Sequence, residues 1–169
     1  MCITLLLCSC SITDTPNVED TQIQGGTSNT TMKEDEGKLA SARLEQILIA
    51  IEQQDFDTIS SMFSEAVLAS TDVSTGKDYL FSLIDGDVSS CEKIGGNVSE
   101  DINQGKKVVN SKYRFFVYTE NSKYLFSITE CLSDTDHPEN IGLFSIKALK
   151  IADNSEEPAF TDPGIYIPQ

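Results

Sequence analysis

One carboxylate in the C-terminal half of the chain has the setting of a general acid or base. Glu130 shares strand parity with Tyr124, Phe126 and Ile128, so a regular strand places its side chain on the apolar face. A carboxylate partly removed from water there can exchange a proton near neutral pH. This predicts a small pocket enzyme, a hydrolase or isomerase. The alternative is that the strand end opens to water, or that a bulge turns Glu130 outward.

Three tyrosines lie on the same predicted strands and could assist this carboxylate. Tyr113, Tyr118 and Tyr124 are the candidate hydrogen-bonding partners of Glu130 in an enzyme. In a binding protein without catalysis, Tyr113, Tyr124 and Glu130 are the candidate ligand contacts. A cavity of several hundred Å³ with Glu130 in its wall would favour the enzyme, and a closed aromatic core would favour the binding protein.

A second candidate is an oxygen-rich loop around the single histidine of the chain. Asp134, Asp136 and His137, with Glu139 nearby, are potential ligands for a metal such as calcium. The loop lacks the glycine and the distal glutamate of a calcium-binding loop. The other interpretation is therefore a plain hairpin loop whose Asp and Asn side chains bond local backbone. No cofactor is predicted.

The first ten residues, MCITLLLCSC, resemble the end of a bacterial lipoprotein signal. An apolar run leads into Leu7-Cys8-Ser9-Cys10, with leucine at minus three and a small residue at minus one, as in a lipobox. Cys10 would be the lipidated first residue of the mature protein, anchored in the cell membrane and facing away from the cytoplasm. No Lys or Arg precedes Lys33, so the expected positive region is missing and the start codon is expected upstream.

Composition limits the possible partners. The net charge is -15, from 27 acidic and 12 basic residues, which disfavours nucleic acid because phosphate binding depends on Lys and Arg. The longest apolar run of the body, residues 47–51, is far shorter than the ~20 residues that span a bilayer. Membrane association must therefore come from the lipid. Cys91 and Cys131 either form one disulfide or remain thiols.

Three segments follow from these patterns. Residues 1–10 are the signal remnant, and residues 11–37, polar and without apolar periodicity, are a flexible tether. Residues 38–169 form a single domain. Its first part predicts three helices: one with the stripe Leu44, Ile47, Leu48 and Ile51, one beginning near an Asp57 cap, and one over residues 72–85.

After Gly86, apolar residues occur at about every second position, as in a β-strand. Strands are predicted over residues 88–94, 108–119, 123–132 and 141–151, with a polar loop over residues 95–107 and a hairpin connection at residues 120–122. This order predicts an α+β domain in which three N-terminal helices pack on a curved antiparallel sheet of about four strands.

The last predicted strand has apolar residues at both its odd and its even positions. Apolar side chains therefore point to both faces of the sheet, and the face away from the helices must be covered. Ile141, Leu143, Leu149 and Ile151 share one parity, while Phe144, Ile146 and Ala148 share the other. A large apolar face is seldom left in water. Either a second copy covers it in a homodimer, or residues 152–169 fold back over it.

The C-terminal half resembles a known family. The residues that carry the resemblance are Thr119, the segment YLFSI at 124–128, the segment DTDHPENIGLFSI at 134–146, and PGIYIP at 163–168. Residues 38–168 are thereby identified as similar to the domain-of-unknown-function family DUF5104. The resemblance implies a small bacterial lipoprotein with the cystatin-like cone of nuclear transport factor 2 relatives. It implies no functional residues.

The leading hypothesis is a membrane-tethered lipoprotein with a non-catalytic domain that binds a small-molecule or protein ligand. The enzyme based on Glu130 is the alternative.

Overall fold

The computed structural model describes residues 29–151 and 161–168. Within these ranges the helices come first: α1 (Asn29–Glu52), α2 (Phe56–Ser61), α3 (Glu65–Ser70) and α4 (Lys77–Leu83), with a 3₁₀ turn at Val73–Gly76 before α4. The strands follow: β1 (Val88–Asn103), β2 (Lys106–Thr119), β3 (Lys123–Asp134), β4 (Gly142–Lys150) and β5 (Gly164–Ile165). The α+β class is confirmed. The described sheet has five strands rather than four, in the order β1-β2-β3-β4-β5.

Helix α1 contains the predicted apolar stripe but is longer than expected. Leu44, Ile47 and Ile51 are buried and Leu48 is half-buried, as the helical spacing predicted. The helix begins at Asn29, so residues 29–37 of the predicted tether are helical. Residues 11–28 lie outside the described part of the chain.

The second helix begins two residues earlier than predicted. Asp55, and not Asp57, is the N-cap of α2, because its Oδ1 accepts the backbone N–H of Thr58 at 3.0 Å. Asp57 lies inside the first turn of the helix.

The predicted second helix is also divided into α2 and α3. At the break, the Leu143 N–H donates to the Met62 carbonyl at 2.8 Å and the Ser64 N–H donates to the Leu143 carbonyl at 3.1 Å. Ser64 then caps α3. Gly142 makes this approach possible, because a Cβ at its φ of 131° would lie 2.9 Å from the Ser64 nitrogen. Contacts with β4 therefore replace a turn of helix.

The prediction of a loop over residues 95–107 was wrong. β1 continues to Asn103, and β2 begins at Lys106 after a two-residue turn. Gln104 and Gly105 have φ values of 52° and 82°, as a type I′ turn requires. This ribbon is mostly exposed on both faces, so it shows no alternation of apolar and polar residues. The hairpin connection at residues 120–122 is confirmed.

The predicted division of the β4 side chains between the two sheet faces was wrong, because β4 contains a bulge. Thr129 pairs with Ser145 and Glu130 pairs with Leu143, which leaves Phe144 as the extra residue. Leu143 therefore joins Ile146 in the core, whereas Phe144 is 39% exposed.

The core lies between the helices and one face of the sheet. Its completely buried side chains include Ile47, Ile59, Leu80, Phe126 and Ile146. The short strand β5 pairs in parallel with β4 at the sheet edge. Within the predicted covering segment, Gly164–Ile165 thus extend the sheet at this edge, and residues 152–160 and 169 lie outside the described part.

Candidate functional site

Glu130 points toward the helices, on the same face as Phe126 and Ile128. The β2–β3 ladder is regular here, with Tyr113 opposite Ile128 and Ser111 opposite Glu130. The side chain is only 3% exposed, so no bulge turns it outward. The strand parity that was read from the sequence therefore gives the correct direction for this carboxylate.

The partner of Glu130 is an arginine on the first helix. Arg43 Nε donates to Glu130 Oε2 at 3.2 Å, and the Ser111 hydroxyl donates to Oε1 at 3.4 Å. Arg43 Nη1 also donates to Gln46 Oε1 at 3.2 Å. Sequence reasoning missed Arg43, because it lies off the apolar stripe of α1 and 87 residues away from Glu130. Its long side chain reaches around the helix to the sheet.

Two of the three candidate tyrosines have other partners. Tyr118 Oη donates to Glu92 Oε2 at 2.9 Å, and Tyr124 Oη accepts the Asp85 N–H at 2.9 Å. Desolvation, followed by the Glu92 contact, raises the pKa of Tyr118 above its usual value. Tyr113 is buried beside Phe115, on the face that also carries Glu130.

An open groove of about 590 Å³ lies between α1, α2 and the start of β4. Polar groups from both helices line it, among them Arg43 and Thr58, and so do the apolar side chains of Ile49 and Ile141. Ile49 is 45% exposed and Ile141 is 46% exposed. Glu130 is not among the lining residues, but Arg43, which donates to its carboxylate, lines the groove.

The carboxylate that lines this groove is Asp55, and it is occupied by its role as an N-cap. Thr58 donates to it from both the backbone N–H and the side-chain hydroxyl. These hydrogen bonds, the hydroxyl first, lower the pKa of Asp55 below its usual value. The group therefore carries a stable negative charge at neutral pH and is poorly suited to accept a proton.

The loop around His137 is organised by hydrogen bonds to Asp134. Its Oδ1 accepts the backbone N–H groups of Asp136 at 3.1 Å and His137 at 2.9 Å, and its Oδ2 accepts Asn140 Nδ2 at 2.9 Å. These bonds, with that of Asn140 first, lower the pKa of Asp134. His137 Nδ1 lies 3.0 Å from Glu139 Oε1. In residues 29–151 and 161–168, no group of three or more Asp, Glu, His or Cys residues could hold a metal ion.

The two cysteines of the domain do not form a disulfide. Cys91 lies on β1 opposite Val117, and Cys131 lies on β3 opposite Asn110. Strand β2 therefore separates them. Burial raises the pKa of the Cys131 thiol.

The predicted membrane anchor lies outside the described residues, since Cys10 precedes Asn29. Among the described helices, none combines the length and the apolar character needed to cross a membrane.

Comparison with known families gives one finding. The model of a domain of unknown function, DUF5104, matches residues 46–151. The match runs from α1 to the end of β4 and covers more than half of the chain. No curated protein matches the sequence.

Proposed function

Since the chain belongs to the DUF5104 family, a domain of unknown function, we propose that it is a lipid-anchored binding protein that faces away from the cytoplasm. Its folded domain binds a ligand without transforming it. The order of helices before an antiparallel sheet supports a cystatin-like cone, and the groove between α1 and α2 is the binding site.

The lipobox-like segment supports the anchor. Leu7-Cys8-Ser9-Cys10 has the residue types that lipoprotein processing requires, and the polar residues that follow it separate the domain from the lipid.

The first prediction tests this anchor. The full-length chain, expressed with its native upstream sequence, should be labelled by palmitate and enter the detergent phase. Cys10→Ala should abolish both properties, because the thiol that carries the lipid is gone. Cys8→Ala is the matched control and should be labelled normally. Labelling that survives in Cys10→Ala contradicts the assignment of Cys10.

The open groove is the observation that carries the binding function. Its volume is within the range of ligand pockets, roughly 300 to 1,000 Å³, and its wall combines exposed apolar side chains with hydrogen-bonding groups. Its lining carboxylate is held as an N-cap and the neighbouring Glu130 is paired with Arg43. These contacts favour binding over acid–base chemistry.

The second prediction tests the groove with small-molecule fragments observed by NMR. Aliphatic acids, amines and amides should bind the wild-type protein, and Ile49→Glu should abolish this binding by placing a charge on the apolar wall. Leu39→Glu is the matched control: this leucine is also exposed on α1, at 49%, but does not line the groove. Equal binding by Ile49→Glu and wild type would place the site elsewhere.

A further inference from the structure

The groove has one cationic and one anionic side chain among the residues that line it. Arg43 lines it from the middle of α1, and Asp55 lines it just after the helix ends. Gln53, the residue after the helix, lies ten positions beyond Arg43, which corresponds to about 15 Å along the helix axis at 1.5 Å per residue. The backbone positions of the cationic residue and the anionic residue are therefore separated by roughly that distance along the helix axis.

Both charges are held in place by contacts with the protein. Glu130 and Gln46 fix two nitrogens of the Arg43 guanidinium, and in the described part of the chain the third, Nη2, has no hydrogen-bond acceptor. The Arg43 side chain keeps 26% of its surface exposed. The Asp55 carboxylate is fixed by Thr58, and each of its oxygens can accept a second hydrogen bond.

We infer that the groove binds a short extended peptide with free ends, with its terminal carboxylate on Arg43 and its terminal ammonium on Asp55. An extended chain advances about 3.3 Å per residue, so four to five residues span about 15 Å. The exposed amides of Gln46 and Gln53 can bond the peptide backbone, and Ile49 and Ile141 can contact its side chains.

The charge of the whole protein favours this ligand over a simple anion. With a net charge of -15, the protein repels ligands that carry only negative charge. A zwitterionic peptide has no net charge, so it avoids this repulsion and still forms a charge-assisted bond at each end. This inference rests on the proposed function, because it assigns a ligand class to the same groove.

The experiment compares four forms of one alanine–leucine pentapeptide: free at both ends, amidated at the C-terminus, acetylated at the N-terminus, and blocked at both ends. Calorimetric titration of the full-length protein should show that amidation weakens binding about tenfold, as expected for the loss of one partly exposed charged hydrogen bond. Acetylation should weaken binding about threefold, because it removes a partly exposed ion pair with Asp55, and such pairs contribute little.

Two variants assign each peptide end to its protein group. Arg43→Gln combined with Glu130→Gln removes the cation without leaving a buried charge unpaired, and it should bind the acid and the amide equally. Asp55→Asn keeps the cap, because asparagine caps helices as well as aspartate does. It should bind the free and acetylated amines equally. If the double variant does not fold, Asp55→Asn and the comparison of the four peptides on the wild type still test the peptide assignment.

The outcomes separate the ligand class from the function. If the four peptides bind the wild type equally, or if fragments bind in the groove and the free peptide does not, the peptide assignment is wrong while the binding function stands. If neither fragments nor peptides bind in the groove, both are wrong.

Discussion

Arg43→Met is expected to lower the free energy of unfolding by about 3 kcal/mol. The substitution keeps most of the side-chain volume. Among the described residues it leaves the Glu130 carboxylate, which is 3% exposed, with the Ser111 hydroxyl as its remaining hydrogen-bond donor. Breaking a buried ion pair by removing one partner costs roughly 3 to 5 kcal/mol. The lower end applies because water reaches Arg43. Urea unfolding of wild type and variant measures the difference in unfolding free energy. The slope of this free energy against urea concentration should be the same for both proteins.

Removal of the second charge should restore much of this stability. Arg43→Met combined with Glu130→Met leaves no unpaired buried charge, so the double variant should be more stable than Arg43→Met alone. An Arg43→Met protein as stable as wild type would contradict the ion pair. It would mean that Glu130 does not depend on Arg43, and an unpaired carboxyl group partly removed from water is the condition that the alternative function, an enzyme based on Glu130, requires.

Phe126→Ala is expected to lower the free energy of unfolding by about 3 to 5 kcal/mol, the usual cost of removing a completely buried ring. Phe126 is 0% exposed at the centre of the sheet, where it pairs with Phe115 on one side and Ala148 on the other. The surrounding strands cannot close the resulting cavity without disturbing their ladders. Thermal or urea unfolding of the purified variant provides the measurement.

Phe144→Ala is the matched control on the neighbouring strand. This ring is 39% exposed, so the loss should stay below about 1 kcal/mol. A loss as large as that of Phe126→Ala, growing with protein concentration, would show that a second copy covers Phe144 in solution. That result would favour the homodimer predicted from the two apolar parities of β4. A small loss at every concentration would contradict burial of this ring in a dimer.

The parts of the fold that sequence predicted are those in which burial repeats regularly along the chain. The apolar stripe of α1 and the alternation in β2 each report one buried face, so both elements were found. The exposed ribbon formed by residues 95–107 buries little on either side, and its polar residues look like a loop. The break at Phe63 was also missed, because it depends on backbone bonds to Leu143.

The sequence alone determined the α+β class, the family and the inward direction of Glu130, because local periodicity and a motif suffice for each. The partner of this carboxylate depends instead on how α1 packs on the sheet. Arg43 is 87 residues away and lies off the buried stripe, so no local pattern connects the two. The groove could not be predicted from the sequence either. It is formed by α1, α2 and the start of β4, which become neighbours only when the helices pack on the sheet.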